Sequence, residues 1–245
     1  MRNAHRYVLA ALLSAAAITP LAAKVAPVIA AALASGERPA EDVARDADRK
    51  PAEILAFAGI KKGSKVVELA PGGGYYTRLL SLAVGPNGRI YPRGNRFSPA
   101  VEAWAKAHPN VLTAITGPDT TVLAPEPVDV VWTTLNYHDF KNIKLGDSDA
   151  AVWFNKLAFA ALKPGGVYLI NDHDAAPGVG VSQTNTLHRI EMTVVIKEVE
   201  AAGFKLDARS EVLRHPADDH TIKVVETGMR GHTDQFVLRF RKPKR

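Results

Sequence analysis

The sequence predicts an α/β domain, built on a mostly parallel sheet with helices on both faces and closed at one edge by an antiparallel strand pair. Three observations carry this. From residue 51 onward, short β-rich runs alternate with stretches of helical length. Turns marked by glycine or proline separate them, as in "KKGSK" and "KPGG". The last two runs, 204–213 and 234–241, have no helical stretch between them, which suits a closing hairpin rather than another crossover.

The elements follow in order. The charged stretch 35–50, "SGERPAEDVARDADRK", reads as a leader helix or a linker. Pro51 opens "PAEILAFAG" at a position where a first helical turn tolerates proline, and Gly59 suits its end. The first strand is "VVEL" (66–69), followed by a glycine turn and a helix from about Tyr75. "GRIY" (88–91) is the second strand, and Ser98 is the expected N-cap of "SPAVEAWAKA" with Pro99 just inside. "NVLTAI" (110–115) and "VDVVWTTL" (128–135) are the third and fourth strands. "SDAAVWFNKLAFAAL" (148–162) is a helix turned by "KPGG" into the strand "VYLIN" (167–171). A last helix, "RIEMTVVIKEVEAAG" (189–203), closes on Gly203 before "FKLDARSEVL" and "DQFVLRFR". That makes a seven-stranded sheet in one domain, with no internal repeat.

The amino terminus has the order of an export signal. Arg2 and Arg6 precede the apolar run "YVLAALLSAAAITPLAA", and small residues follow. Cleavage is expected after Ala23, or as late as Ala34, leaving a folded domain over 35–245 and placing the protein outside the cytoplasm, in a bacterial periplasm. Without Arg2 and Arg6 the formal charge of +6 falls to +4. The basic residues form no cluster interleaved with aromatics, so the sequence gives no footprint for nucleic acid. After signal removal, no stable membrane insertion is expected. Cysteine is absent, which excludes thiol catalysis, disulfides and thiolate metal sites.

The glycine turn "VVELAPGGGYYT" (66–77) limits what can be bound. A triphosphate loop needs a lysine after its glycines, and none lies between Lys65 and Lys106. A dinucleotide turn places its third glycine where Thr77 stands. The spacing that fits is acid-x-small-x-Gly-x-Gly, on Glu68, Ala70, Gly72 and Gly74. On these residues, with "LKPGGVYLI" (162–170), "EAAGF" (200–204) and the closing strands, the chain resembles the class I S-adenosylmethionine-dependent methyltransferases. The stretch 45–77, "NYHDF" (136–140) and "TDQFVLRFRKP" (233–243) resemble more closely a group of exported bacterial proteins classed as predicted methyltransferases.

The resemblance implies a Rossmann-like sheet and S-adenosylmethionine as the methyl donor. It implies that Glu68 contacts the amino-acid end of the donor, above the backbone of Ala70, Gly72, Gly73 and Gly74. It also implies Asp119, in "TGPDT", at the adenine. Tyr75 and Tyr76, where the first helix begins, are placed to flank the donor, Tyr76 being the candidate, and Asn136 at the end of the fourth strand is the other. One position departs from the family: its ribose acid has no counterpart, since no Asp or Glu occurs between Glu68 and Glu102. Asn95 is the residue left to meet the ribose, while Arg93 and Arg96 would suit a ribose phosphate.

Two strand ends carry unusual chemistry. "TTLNYHDF" puts Asn136, Tyr137, His138 and Asp139 after the fourth strand, and "LINDHDA" puts Asn171, Asp172, His173 and Asp174 at the end of the fifth. Neighbouring strands in this fold would direct both groups into one cleft. Two mechanisms fit. In one, His138 or His173 is the general base for the hydroxyl or amine of a small-molecule acceptor, with Asp139 and Asp172 beside them. In the other, Asp139, Asp172 and an Asn or His hold a divalent metal. The expected reaction is methyl transfer to oxygen or nitrogen, with His138 the preferred base; an exported hydrolase, lyase or binding protein on the same fold is the alternative. The stretch "AAPGVGVSQTNTLHRIE" (175–191) reads as a mobile cover, with His188 and Arg189 placed to reach an anion.

Overall fold

The computed structural model describes residues 25–229 and 231–244, so the expected signal sequence, 1–23, lies outside the described residues. In chain order the elements are α1 (Pro27–Leu33), α2 (Ala40–Val43), α3 (Asp46–Arg49), α4 (Pro51–Ala58), β1 (Lys65–Leu69), α5 (Tyr75–Val84), β2 (Arg89–Gly94), α6 (Pro99–Ala107) and β3 (Ala114–Ile115). Then come β4 (Val128–Thr134), α7 (Tyr137–Phe140), β5 (Lys144–Leu145), β6 (Ser148–Asp149), α8 (Ala150–Ala161), β7 (Leu162–His173), α9 (Met192–Ala201), β8 (Lys205–Ser210) and β9 (Gln235–Arg241).

Seven strands form one sheet in the order β3-β2-β1-β4-β7-β9-β8. β3, β2, β1, β4 and β7 are parallel, and β9 runs antiparallel to both β7 and β8. The expected closing hairpin is therefore present, with β9 inserted between β7 and β8. Three local expectations are corrected. The run 110–115 is a strand only at Ala114–Ile115, with one further bridge from Val111 to Ile90. Leu112 and Ile115 are exposed there, so no burial enforces a longer strand. The turn "KPGG" is absorbed into β7, where a register shift against β4 takes up its extra residues. The amphipathic helix expected from residue 189 begins at Met192.

Two cores sandwich the sheet, and strand alternation assigns each side chain to one of them. Val66, Val130, Trp132, Val167, Leu169 and Val237 face α1, α4 and α5. Val67, Leu69, Val131, Tyr168, Ile170 and Leu238 face α8 and α9. Successive strand residues point to opposite faces, so an unbroken apolar run such as "VYLI" (167–170) is what a strand covered on both sides requires. Ile29 and Ala32 of α1, which a boundary at residue 35 would leave out, belong to the first of these cores. Ser98 caps α6 as expected, accepting from the Val101 N–H. Asp149, unexpected, caps α8 by accepting from the Val152 N–H. Among the described residues no helix is long and apolar enough to cross a membrane.

Candidate functional site

Strand order reverses between β1 and β4, and their carboxyl ends are where an open α/β sheet leaves a crevice. The backbone there is unusual. Ala70, directly after β1, and Leu135, directly after β4, both hold positive φ, at 51° and 57°. Such conformations are uncommon outside glycine and concentrate where a site needs them. Asn136 stitches the two ends together, donating from Nδ2 to the Ala70 carbonyl (3.1 Å) and the Thr134 carbonyl (2.6 Å).

The glycines of the turn divide by role. An added Cβ at Gly72 or Gly73 would meet nothing within 4 Å, so the backbone there borders open space. At Gly74, φ is +85° and a Cβ would lie 2.9 Å from both Arg78 Nη1 and Val101 Cγ2. Gly74 is thus required by packing against the protein itself, a correction to the expectation that all three glycines make room for a ligand. Glu68 shares strand parity with Val66 and points towards α5, where the Thr77 hydroxyl donates to its Oε2 at 2.6 Å. Desolvation pushes its pKa up to about 7, against the lowering effect of Thr77 and Arg78.

The stretch 35–50 is neither a linker nor a single helix. It folds as α2 and α3 over the glycine turn, held by Arg38 to Asp46 (2.6 Å), Arg78 to Asp42 (2.6 Å) and the Tyr75 hydroxyl to Asp46 (2.6 Å). It brings Arg45 and Arg49 to a hollow of about 170 Å³ whose other walls include Glu68, Gly73, Tyr76 and Asn136. The Arg49 guanidinium sits 4.6 Å from the Tyr75 ring centroid. These arginines were missed in the sequence, although their four-residue spacing places them on one helical face.

A cavity of about 780 Å³ adjoins this hollow, sharing Ala70, Pro71, Gly72 and Asn136 with it. Its size lies within the range of about 300–1,000 Å³ usual for small-molecule sites. Asn95, Thr116 and Gly117 line one end, and Asp139, Phe140 and Trp153 the other. Asp119 is exposed in the turn after β3, outside this lining. Arg93 lies on the wall but is buried and spent on backbone: it donates to the carbonyls of Leu123 (2.6 Å), Pro92 (2.8 Å) and Leu112 (2.8 Å). It does not reach across the glycine turn, and it is not arranged as a phosphate ligand.

The two polar runs meet around His138, which bonds Asp172 and has the His173 ring 6.0 Å from its own between centroids, and strand alternation sorts the remaining side chains. Asp172 shares parity with Ile170 and faces α7, where its carboxylate accepts from His138 Nδ1 (2.7 Å) and from the His138 backbone N–H (2.8 Å). Burial lowers the His138 pKa, but the charge and hydrogen bond of Asp172 outweigh it, and the net shift is upward. Burial raises that of Asp172, and His138 brings it below the ordinary value. Asn171 and His173 point the other way. Asn171 donates to Gln235 Oε1 and the Phe236 carbonyl, and His173 pairs with the Thr233 hydroxyl at 2.8 Å. His173 borders a separate hollow of about 280 Å³, and burial holds its pKa down at about 4, so it is neutral near pH 7. Tyr76 and Asn171 share that hollow. Asp174 is engaged with Arg214 at 2.8 Å.

Asp172 is fully buried and His138 only 3% exposed, so neither lines the large cavity; Asp139 does. The one-cleft expectation for the four catalytic candidates is therefore corrected: His138, Asp139 and Asp172 form a chain, and His173, its ring centroid 6.0 Å from that of His138, borders a different hollow. The stretch 175–191 is also not a loose cover. Arg189 is wholly buried in a bidentate bridge to Asp218 (2.8 and 3.0 Å), which removes it as an anion receptor. His188, at φ 57°, instead turns its ring towards His138, with centroids 5.4 Å apart.

No family model and no curated protein matches this sequence. Solved structures do match. A SAM-dependent methyltransferase from Aquifex aeolicus superposes with TM-score 0.57 at 19% identity, over 82% of this chain and 95% of that one. An arsenic(III) S-adenosylmethionine methyltransferase from Chlamydomonas reinhardtii gives 0.54 at 17%, over 89% and 74%. The [4+2]-cyclase SpnF gives 0.56 at 15%, over 81% and 82%. With the strand order, the reversed β9 and the glycine turn at the end of β1, these likenesses give the chain the fold of the class I S-adenosylmethionine-dependent methyltransferases.

Proposed function

We propose that the protein binds S-adenosylmethionine and transfers its methyl group to an oxygen or nitrogen of a small molecule. The observation that carries this is the open space above Gly72 and Gly73, at the junction of the hollow beside Glu68 and the large cavity. The residues fit the donor. Glu68 would receive the ammonium, with Arg45 and Arg49 for the carboxylate, in the hollow all three border. The adenosine belongs in the large cavity, where Asn95 meets the ribose and the backbone of Thr116–Gly117 borders the base. When bound, the donor supplies an electrophilic methyl on a sulfonium.

This chain's own contribution is positioning and proton handling, since an in-line displacement needs little else. Asn136 fixes the two strand ends at which the reacting atoms meet. The acceptor's proton leaves towards the chain of Asp139, His138 and Asp172, which reaches the cavity through Asp139. The test is release of S-adenosylhomocysteine from the donor in the presence of a panel of small phenols and amines. Acceptor-dependent release by the wild type and its loss in His138→Ala support the reading; no release with any acceptor, from protein that binds the donor, sinks it.

A second reading is favoured by one observation. The wall beyond β2 offers Asn95 and no carboxylate to the ribose, and one structural neighbour is named as a cyclase. On that reading the protein is an exported non-methylating protein using the same crevice. Export itself rests on the order of residues 1–23. The mass of the mature chain from the native host checks it, with loss of the leader expected and a retained leader the contrary result.

A further inference from the structure

The residues after β4 form a cluster whose geometry methyl transfer alone does not require. His138 Nε2 and His188 Nδ1 each lie 3.4 Å from Asp139 Oδ1. The three donor atoms all fall within 4.8 Å of one another. Two donors about 2.1 Å from a tetrahedral ion sit about 3.4 Å apart, so the spacing is that of a shared ion as much as of an ion pair.

The surroundings favour the ion. His138 uses its other ring nitrogen on Asp172 at 2.7 Å. A carboxylate behind a ligating imidazole fixes its tautomer and raises its basicity. Asp172 also accepts from the backbone N–H of His138 and of His173, both at 2.8 Å, so the carboxylate behind the ring cannot swing away. On the opposite side His188 is held at φ 57°, a strained conformation that turns it into the cluster. Its segment is tied to the turn after α7 through Thr184 Oγ1, which donates to Asn142 Oδ1 at 2.9 Å. Asp139, its side chain 48% exposed, opens the cluster to the large cavity.

The geometry points to a site for a divalent first-row transition ion, ligated by His138 Nε2, Asp139 and His188 Nδ1 and open on the cavity side. Two imidazoles and one carboxylate suit zinc, iron(II) or cobalt(II) rather than magnesium or calcium, which prefer oxygen-only sets. Three protein ligands leave positions for water or an acceptor oxygen, whose proton the ion would make easier to release to water in the open cavity, since His138 Nε2 and Asp139 are then ligands rather than proton acceptors. The site rests on the methyl-transfer reading only for the identity of that acceptor; ion binding stands by itself.

The test uses the full chain, free of any histidine tag and dialysed against chelator, titrated with Co²⁺ and with Zn²⁺. Calorimetry and visible absorption should show one equivalent bound, with the d–d bands of a low-symmetry cobalt site. Asp139→Asn and His188→Gln, both at partly exposed positions, should keep the circular dichroism of the wild type and weaken binding by roughly 100-fold. Asp172→Asn should weaken it by roughly 10–100-fold. No ion bound more tightly than about 100 µM, or binding that both partly exposed variants retain, overturns the site. S-adenosylmethionine titrated into the same wild-type sample separates the two readings. Donor binding without ion binding removes this inference alone, and ion binding without donor binding removes methyl transfer and leaves the site.

Discussion

Glu68 is a buried carboxylate that accepts from the Thr77 hydroxyl, the one side-chain hydrogen bond it makes among the described residues. With its folded pKa pushed up to about 7 from an ordinary 4.5, the folded state binds more protons than the unfolded chain between those values. The contribution of Glu68 to the stability of the ligand-free protein therefore falls as pH rises through that window, by on the order of 3 kcal/mol, and is flat above it. His173, held down at about 4, contributes with the opposite sign between about 4 and 6.5, so the difference in urea unfolding between wild type and Glu68→Gln from pH 4.5 to pH 8 is what checks the sign. Glu68→Gln removes the buried charge and should raise stability at pH 8 by roughly 1–3 kcal/mol, while weakening the donor. Because the donor's ammonium needs the carboxylate, wild-type affinity should rise with pH, about tenfold per unit, until it levels near pH 7. Glu68→Gln should abolish that dependence. His138 behaves differently: His138→Ala should reduce turnover severely with donor affinity little changed, because its ring faces Asp139 and Asp172 rather than the glycine turn. Loss of donor binding in that variant would mean the histidine has another role.

Among the elements, the glycine turn gives the sharpest contrast. Gly73→Ala adds a methyl group to open space at an ordinary φ, so the fold should be unaffected while the donor is excluded. Gly74→Ala forces a methyl against Arg78 and Val101 at positive φ and should destabilise by roughly 1–3 kcal/mol. Thermal unfolding of the two variants side by side separates ligand clearance from packing. The segment 175–191 makes a similar point: Arg189→Met leaves Asp218 with an unmatched buried charge and should destabilise by about 3–5 kcal/mol. Elements were readable where a pattern repeats. The strands covered on both faces, β1, β4 and β7, each hold a short apolar run, "VV", "VVW" and "VYLI", and α6 carries its own cap. The polar run "NDHD" reads as one group in the sequence, whereas a period of two sends Asp172 to α7 and leaves Asn171 and His173 to Gln235 and Thr233. The contacts of "SQTNTLHR" are made with residues distant in sequence, Asn142 and Asp218, and no local signal announces them.

At the level of the whole molecule, sheet order brings the crevice between β1 and β4, and α2 and α3 fold back to close one side of it. The fold was readable because hydrophobic alternation and turn residues are local, and the glycine turn because it is contiguous from Glu68 to Gly74. The cluster of His138, Asp139 and His188 was not, since it depends on how α7 and the segment before α9 approach each other. The whole account turns on the space above Gly72 and Gly73 holding an adenosyl amino acid. Isothermal titration of the folded protein with S-adenosylmethionine, run beside Gly73→Ala, tests this most directly. One equivalent bound by the wild type and none by a Gly73→Ala protein of unchanged thermal stability is the predicted result. A folded wild type that gives no heat at saturating donor, or a Gly73→Ala variant that binds equally well, would contradict it.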